Sequence, residues 1–164
     1  MKIMDMYKKT ATLALMAASL ALPTGAWGQV KGDKYETSEA ISDDFFIVEL
    51  EGEDDQDIGK AFDGNYDGDG SWWEAKTAGK KTIVISFNEP TYIHSIDLMG
   101  GGGGSTDVDR NMRPESVTVE GTTADNEDVS QTFSLNREER YATLTLDADK
   151  RKEYVTLKLT LIPG

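Results

Sequence analysis

The densest chemistry in this chain lies between Ala61 and Glu74, which reads Ala-Phe-Asp-Gly-Asn-Tyr-Asp-Gly-Asp-Gly-Ser-Trp-Trp-Glu. Asp63, Asn65, Asp67, Asp69 and Ser71 place oxygen-bearing side chains at alternate positions of one loop. Such donors suit a hard cation such as calcium and offer nothing that a soft metal prefers. Asp63, Asn65, Asp67, Gly68 and Glu74 also occupy the first, third, fifth, sixth and twelfth places of the helix–loop–helix calcium motif. That motif requires a helix on each side. Here Ala75 to Lys81 is a Gly- and Lys-containing turn running into a β-rich segment, and Gly70 stands where the motif carries an apolar residue. The spacing fits a loop-borne calcium site and the context rejects the helical motif. An Asp/Gly-rich turn without metal is the plainer alternative.

A second group of residues suits sugars, which are bound by an aromatic face against their C–H surface and by planar polar groups on their hydroxyls. Trp72 and Trp73 are adjacent. Neighbouring side chains of an extended chain point to opposite faces, so both cannot enter one core. Arg110, Asn111 and Arg113 follow a glycine run, Gly100 to Gly104. Forked guanidinium donors match adjacent hydroxyls or a carboxylated sugar, whereas salt bridges to Asp107, Asp109 or Glu115 are the structural alternative. The glycine run precedes an acidic, non-helical segment without lysine, so it reads as a loop and not a phosphate cradle. His94 lies in a β-rich run and reads as a surface or edge residue.

Composition narrows the partners. The 164 residues carry 30 acidic and 17 basic side chains, a formal charge of −13, which disfavours nucleic acid and anionic membranes. There is no cysteine, hence no disulfide, thiolate nucleophile or zinc-thiolate site. Eight acidic residues fall between Asp43 and Asp57, a pattern that is usually a solvated loop or edge. Residues 1–28 read as a secretory signal: Lys2, Lys8 and Lys9 precede an apolar stretch, Ala11 to Leu22, and Ala26 and Gly28 supply small residues before Gln29. Cleavage there removes three lysines and one aspartate, taking the charge from −13 to −15, and leaves 29–164 as one exported domain, secreted, periplasmic or at the cell surface.

The elements that must position these residues are strands. Phe45 to Leu50, Thr82 to Phe87, Tyr92 to Met99, Ser116 to Glu120, Gln131 to Leu135, Tyr141 to Leu146 and Tyr154 to Ile162 are β-rich. The last two alternate cleanly: Ala142, Leu144 and Leu146 oppose Tyr141, Thr143 and Thr145, while Val155, Leu157, Leu159 and Leu161 oppose Tyr154, Thr156, Lys158 and Thr160. One buried and one wet face is the signature of antiparallel sandwich strands. Asn88-Glu89-Pro90 and Gly121-Thr122 read as separating turns. Helical signal is confined to a short turn with Ile58, Ala61 and Phe62 on one face, and to a possible cap by Asn136 with Glu139. The expected fold is all-β.

Taken together the motifs resemble the discoidin, or F5/8 type C, family, which includes the family 32 carbohydrate-binding modules. The resemblance rests on Ala61-Phe62-Asp63-Gly64-Asn65, Ser71-Trp72-Trp73, the run Thr82 to Phe87 with Pro90, then Ile93, Ile96 and Leu98, Asn111-Met112-Arg113-Pro114, and Tyr154-Val155-Thr156-Leu157. It spans most of residues 36–162 and implies an antiparallel jelly-roll β-sandwich of the galactose-binding-domain type. It implies that Trp73 is the core tryptophan and Trp72 faces outward near the loops, as a sugar platform or as packing beneath the acidic loop. It supports Asp63 and Ser71 as calcium positions, with Asn65, Asp67, Asp69 and Glu74 added by local chemistry. Three departures stand out: the loop from Asn65 to Ser71 is long and acidic, the Gly100 to Gly104 run is atypical, and the family's closing strand is expected to be missing after Gly164.

Three functions compete. A non-catalytic module would bind glycan through Trp72, Arg110, Asn111 and Arg113, with a structural calcium, and would target a catalytic domain downstream in the same protein. A discoidin-like adhesion module would instead bind a protein, steered by the acidic loop. Catalysis is disfavoured, since one histidine, no cysteine and no Gly-x-Ser-x-Gly elbow remove the usual nucleophiles.

Overall fold

The computed structural model describes residues 2–10, 37–40, 46–62, 73–100 and 113–164. Within them nine strands are formed: β1 (Lys2–Thr10), β2 (Thr37–Ala40), β3 (Phe46–Leu50), β4 (Lys81–Ile93), β5 (Ser95–Met99), β6 (Pro114–Thr123), β7 (Asp128–Ser134), β8 (Tyr141–Thr145) and β9 (Lys152–Pro163). They build two antiparallel sheets, one of order β2-β1-β5-β8 and one of order β3-β4-β9-β6-β7. The inward residues of both sheets meet in a single core that includes Ile83, Ile85, Ile96, Leu98, Val117, Leu144, Leu157 and Leu159. This is the all-β sandwich that the alternation implied, and the inner faces of β8 and β9 carry the leucines assigned to them. The outer face of the larger sheet is hydroxylic. Thr82, Thr160, Thr118 and Thr132 stand in one row across β4, β9, β6 and β7. Their hydroxyls pair at 3.1 Å between Thr82 and Thr160 and at 2.9 Å between Thr118 and Thr132.

Five local readings are corrected. The run Tyr92 to Met99 is not one strand: β4 ends at Ile93, β5 starts at Ser95, and the chain changes sheets at His94. Asn88-Glu89-Pro90 is no turn but part of β4, where pairing jumps from Ser86–Thr156 to Thr91–Tyr154. The bulge absorbs Pro90, which has no N–H to give a ladder. Gly121 likewise lies inside β6 and does not break it. A Cβ there would come within 2.4 Å of the Tyr154 ring, so glycine is needed to seat that ring. Tyr154 is itself buried, although alternation from Leu157 places it on the outer face. Register shifts on both flanks of β9 near this residue turn it inward. Finally, Asn136 and Glu139 close a hydrogen-bonded turn rather than capping a helix.

Strands β1 and β2 have no counterpart in the sequence reading. The backbone of Lys2–Thr10 pairs with β2 on one side and β5 on the other, inside the segment expected to be a leader. The apolar stretch and the small residues before Gln29 lie outside the described residues. Among the described residues no helix is long and apolar enough to cross a membrane.

Burial pushes the Tyr154 phenol up to about 12, with Glu127 adding to the effect, and its hydroxyl donates to the Lys150 carbonyl. Replacing Gly121 by alanine is expected to evict this ring and to cost about 1–3 kcal/mol in urea unfolding. Ultraviolet titration of the wild type should show one tyrosine ionising near 12, a transition missing from Tyr154→Phe.

Candidate functional site

Three chain segments converge on one end of the sandwich. β3 ends and β4 begins there, since Leu50 pairs with Ile83 and Lys81 with Leu161. β6 starts at the same end, with Pro114 opposite Pro163, and β7 finishes there, with Ser134 opposite Ser116. The smaller sheet joins them: Gly100 N–H donates to the Arg140 carbonyl at 2.9 Å, just after Met99 has paired with Tyr141. Segment 63–72 joins Phe62, packed on Phe46, to Trp73, and segment 101–112 joins Gly100 to Arg113 beside the start of β6.

The anchor of the first segment is Asp55, a carboxylate only 5% exposed. It precedes the 3-10 helix Gln56–Ala61 and accepts the Asp57 N–H at 3.1 Å as its N-cap. Its second oxygen accepts the Trp73 indole N–H at 3.0 Å, and Lys76 approaches the first at 3.1 Å. The indole hydrogen bond, followed by those from Lys76 and the Asp57 amide, holds the Asp55 carboxyl below the usual carboxylate range. Trp73 is 2% exposed and belongs to the core, as the resemblance implied. Ile58 and Ala61 of the 3-10 helix are buried beside it, in agreement with the apolar face read from the sequence. Behind this clamp Lys81, itself buried, is held by Glu53 and Thr77, and the Lys81 contact lowers the Glu53 carboxyl.

The second segment rests on Arg113, which is 6% exposed. Its Nη1 donates to the carbonyls of Arg137 at 2.9 Å and Glu138 at 3.3 Å, tying the start of β6 to the β7–β8 turn. Of the residues singled out for sugar, Arg113 is the one that is described; Trp72, Arg110 and Asn111 lie outside the described residues, as do Asp63, Asn65, Asp67, Asp69 and Ser71. Glu74 is exposed, immediately after Trp73. The hollow bounded by Gly100, Arg113, Asn136 and Arg140 measures about 20 Å³. That is room for about a water and far too small for a sugar ring. His94 is half-buried between the sheets, its Nδ1 3.3 Å from the Ser95 hydroxyl. Among the described residues no group of three or more His, Asp or Glu is placed to hold a metal ion.

The sequence reading missed Asp55, counting it within a solvated acidic run. A signal was present, because an aspartate directly ahead of a short apolar turn is the N-cap pattern.

No family model matches this chain, and no curated protein matches it. A solved structure does: the family 32 carbohydrate-binding module from Streptococcus pneumoniae EndoD, with a TM-score of 0.58 and 16% identity over 72% of this chain and 82% of that one. The architecture is thus an antiparallel β-sandwich with the fold of that module, in line with the fold the motifs resembled.

Asp55 stabilises the fold only as a carboxylate. Its lowered value means that the contribution is complete above about pH 4, where the unfolded chain's aspartates ionise, and fades as pH falls through the folded value. In acid melts Asp55→Asn should show a flatter dependence below about pH 4 than the wild type. Asp55→Ala, which strands the indole N–H, is expected to lose about 2–4 kcal/mol in urea at neutral pH.

Proposed function

We propose that this chain is a non-catalytic carbohydrate-binding module of an exported protein. The observation that carries the reading is the likeness of its sandwich to a family 32 carbohydrate-binding module, coupled with the motif residues of segments 63–72 and 101–112. In this reading Trp72, next to the clamped Trp73, offers its face to a pyranose, and Arg110 and Asn111 bond the hydroxyls. Arg113, engaged by the carbonyls of Arg137 and Glu138, sets where that second segment starts. Calcium would be held by Asp63, Asn65, Asp67, Asp69 and Ser71, an all-oxygen donor set that fits the ion and would brace the segment leading into Trp72. Export rests on the leader-like residues 1–28, and a downstream catalytic domain would supply the chemistry that the module targets.

A glycan and polysaccharide panel with the full chain tests the reading. Selective binding that Trp72→Ala abolishes, with the melting temperature unchanged, is the expected result. Binding by neither protein would move the assignment to protein adhesion. Saturating calcium is expected to raise the melting temperature by about 5 °C or more, and Asp63→Ala to remove that rise.

A further inference from the structure

β3 closes the larger sheet on one side. It pairs with β4, and among the described residues no strand pairs its other edge. Such an edge offers a row of backbone donors and acceptors to any extended chain. Sheet proteins usually blunt it with lysine, proline or a bulge, whereas β3 reads Phe-Ile-Val-Glu-Leu and pairs with β4 without a register shift. Ile47 on its outer face is 60% exposed, more than any other large hydrophobic residue described.

The inner face of the same strand borders a cleft of about 600 Å³ between β3 and the 3-10 helix, with Val48, Leu50, Ile58 and Phe62 in its lining. Phe46 and Phe62 meet edge to face at its wall, their centroids 5.6 Å apart. The rim is acidic. Glu51, Glu53 and Asp55 are engaged by Lys158, Lys81 and Lys76, but Glu49 and Asp54 make no ion pair among the described residues.

From the backbone edge that no described strand pairs, the apolar cleft and the Glu49 carboxylate, which makes no ion pair among the described residues, we infer that β3 accepts an extended polypeptide segment of alternating basic and apolar residues as an additional strand. The period of two decides the pattern. Apolar side chains on one face of the incoming strand continue over the cleft beside Phe46, Val48 and Leu50. Basic side chains on the other face lie along Ile47 and Glu49, with Asp54 at the rim. The acidic edge and the net charge of −13 favour a basic segment over a second copy of this chain. The inference uses none of the loop residues assigned to glycan, so either reading can fail alone.

The test uses the isotopically labelled full chain and a capped hexapeptide of alternating lysine and valine. Expected are saturable amide shift changes centred on Phe46–Leu50, and binding about five- to tenfold weaker for Glu49→Lys at low salt. The same lysines and valines in two blocks should bind more weakly, and an alternating glutamate–valine peptide not at all. Equal binding of the block peptide, shifts centred elsewhere, concentration-dependent self-association through β3, or no binding by the folded protein would overturn the inference.

Discussion

The carboxylate of Asp55 is the constraint on which this end of the molecule depends. A buried charge is tolerated only when its lone pairs are filled, and here an indole N–H, an ammonium and a backbone amide fill them. In doing so the carboxylate joins three parts of the chain that sequence holds apart: the 3-10 helix, the core tryptophan and the turn before β4. Trp73 cannot leave the core without stranding its own N–H and exposing that charge, so the segment that ends at Trp72 is fixed at its base. Lys81 and Glu53 repeat the arrangement one layer behind, at the first residue of β4.

Beyond this clamp, geometry is set by the larger sheet. β9 pairs with β4 on one side and β6 on the other, and so fixes the separation of those two strands. Arg113 then joins the start of β6 to the turn between β7 and β8 by donating to two backbone carbonyls. That bond depends on main-chain position alone. The sheets thus supply a fixed framework, while the residues proposed to meet a ligand belong mostly to connecting segments, the usual division of labour between scaffold and loop.

Much of the framework was legible in the sequence because period-two alternation reports directly on burial. Leu144, Leu157 and Leu159 fell on the face assigned to them, and Ile58 and Ala61 marked the short helical turn. Where the reading failed, a non-local contact had overruled a local rule. Gly121 looks like a turn residue until Tyr154, distant in sequence, takes up the space of its missing side chain. Pro90 looks like a strand breaker until the bulge opposite β9 accommodates it. His94, inside an unbroken β-rich run, marks a change of sheet, because the same residue types serve either sheet. Thr37–Ala40 is too short and polar to announce itself, and Asp55 hid among neighbours that are mostly solvated. The residues assigned to sugar and calcium were chosen by residue type and resemblance, and of these Arg113 has a described environment, beneath the β7–β8 turn.

The position of β9 carries a consequence for how the molecule assembles. Of the described strands it comes latest in chain order, yet it occupies the middle of the five-stranded sheet. Until Lys152–Pro163 is available, β3–β4 and β6–β7 can form only as separate hairpins, each with an uncovered apolar face, since a two-stranded hairpin alone is marginal in water. Nearly all stabilising contacts then arrive together and over long loops, which predicts a slow, highly cooperative transition with few partly folded states. For such a topology the vulnerable interval is the time before β9 docks, when the facing edges of β4 and β6 are open to strands of neighbouring chains.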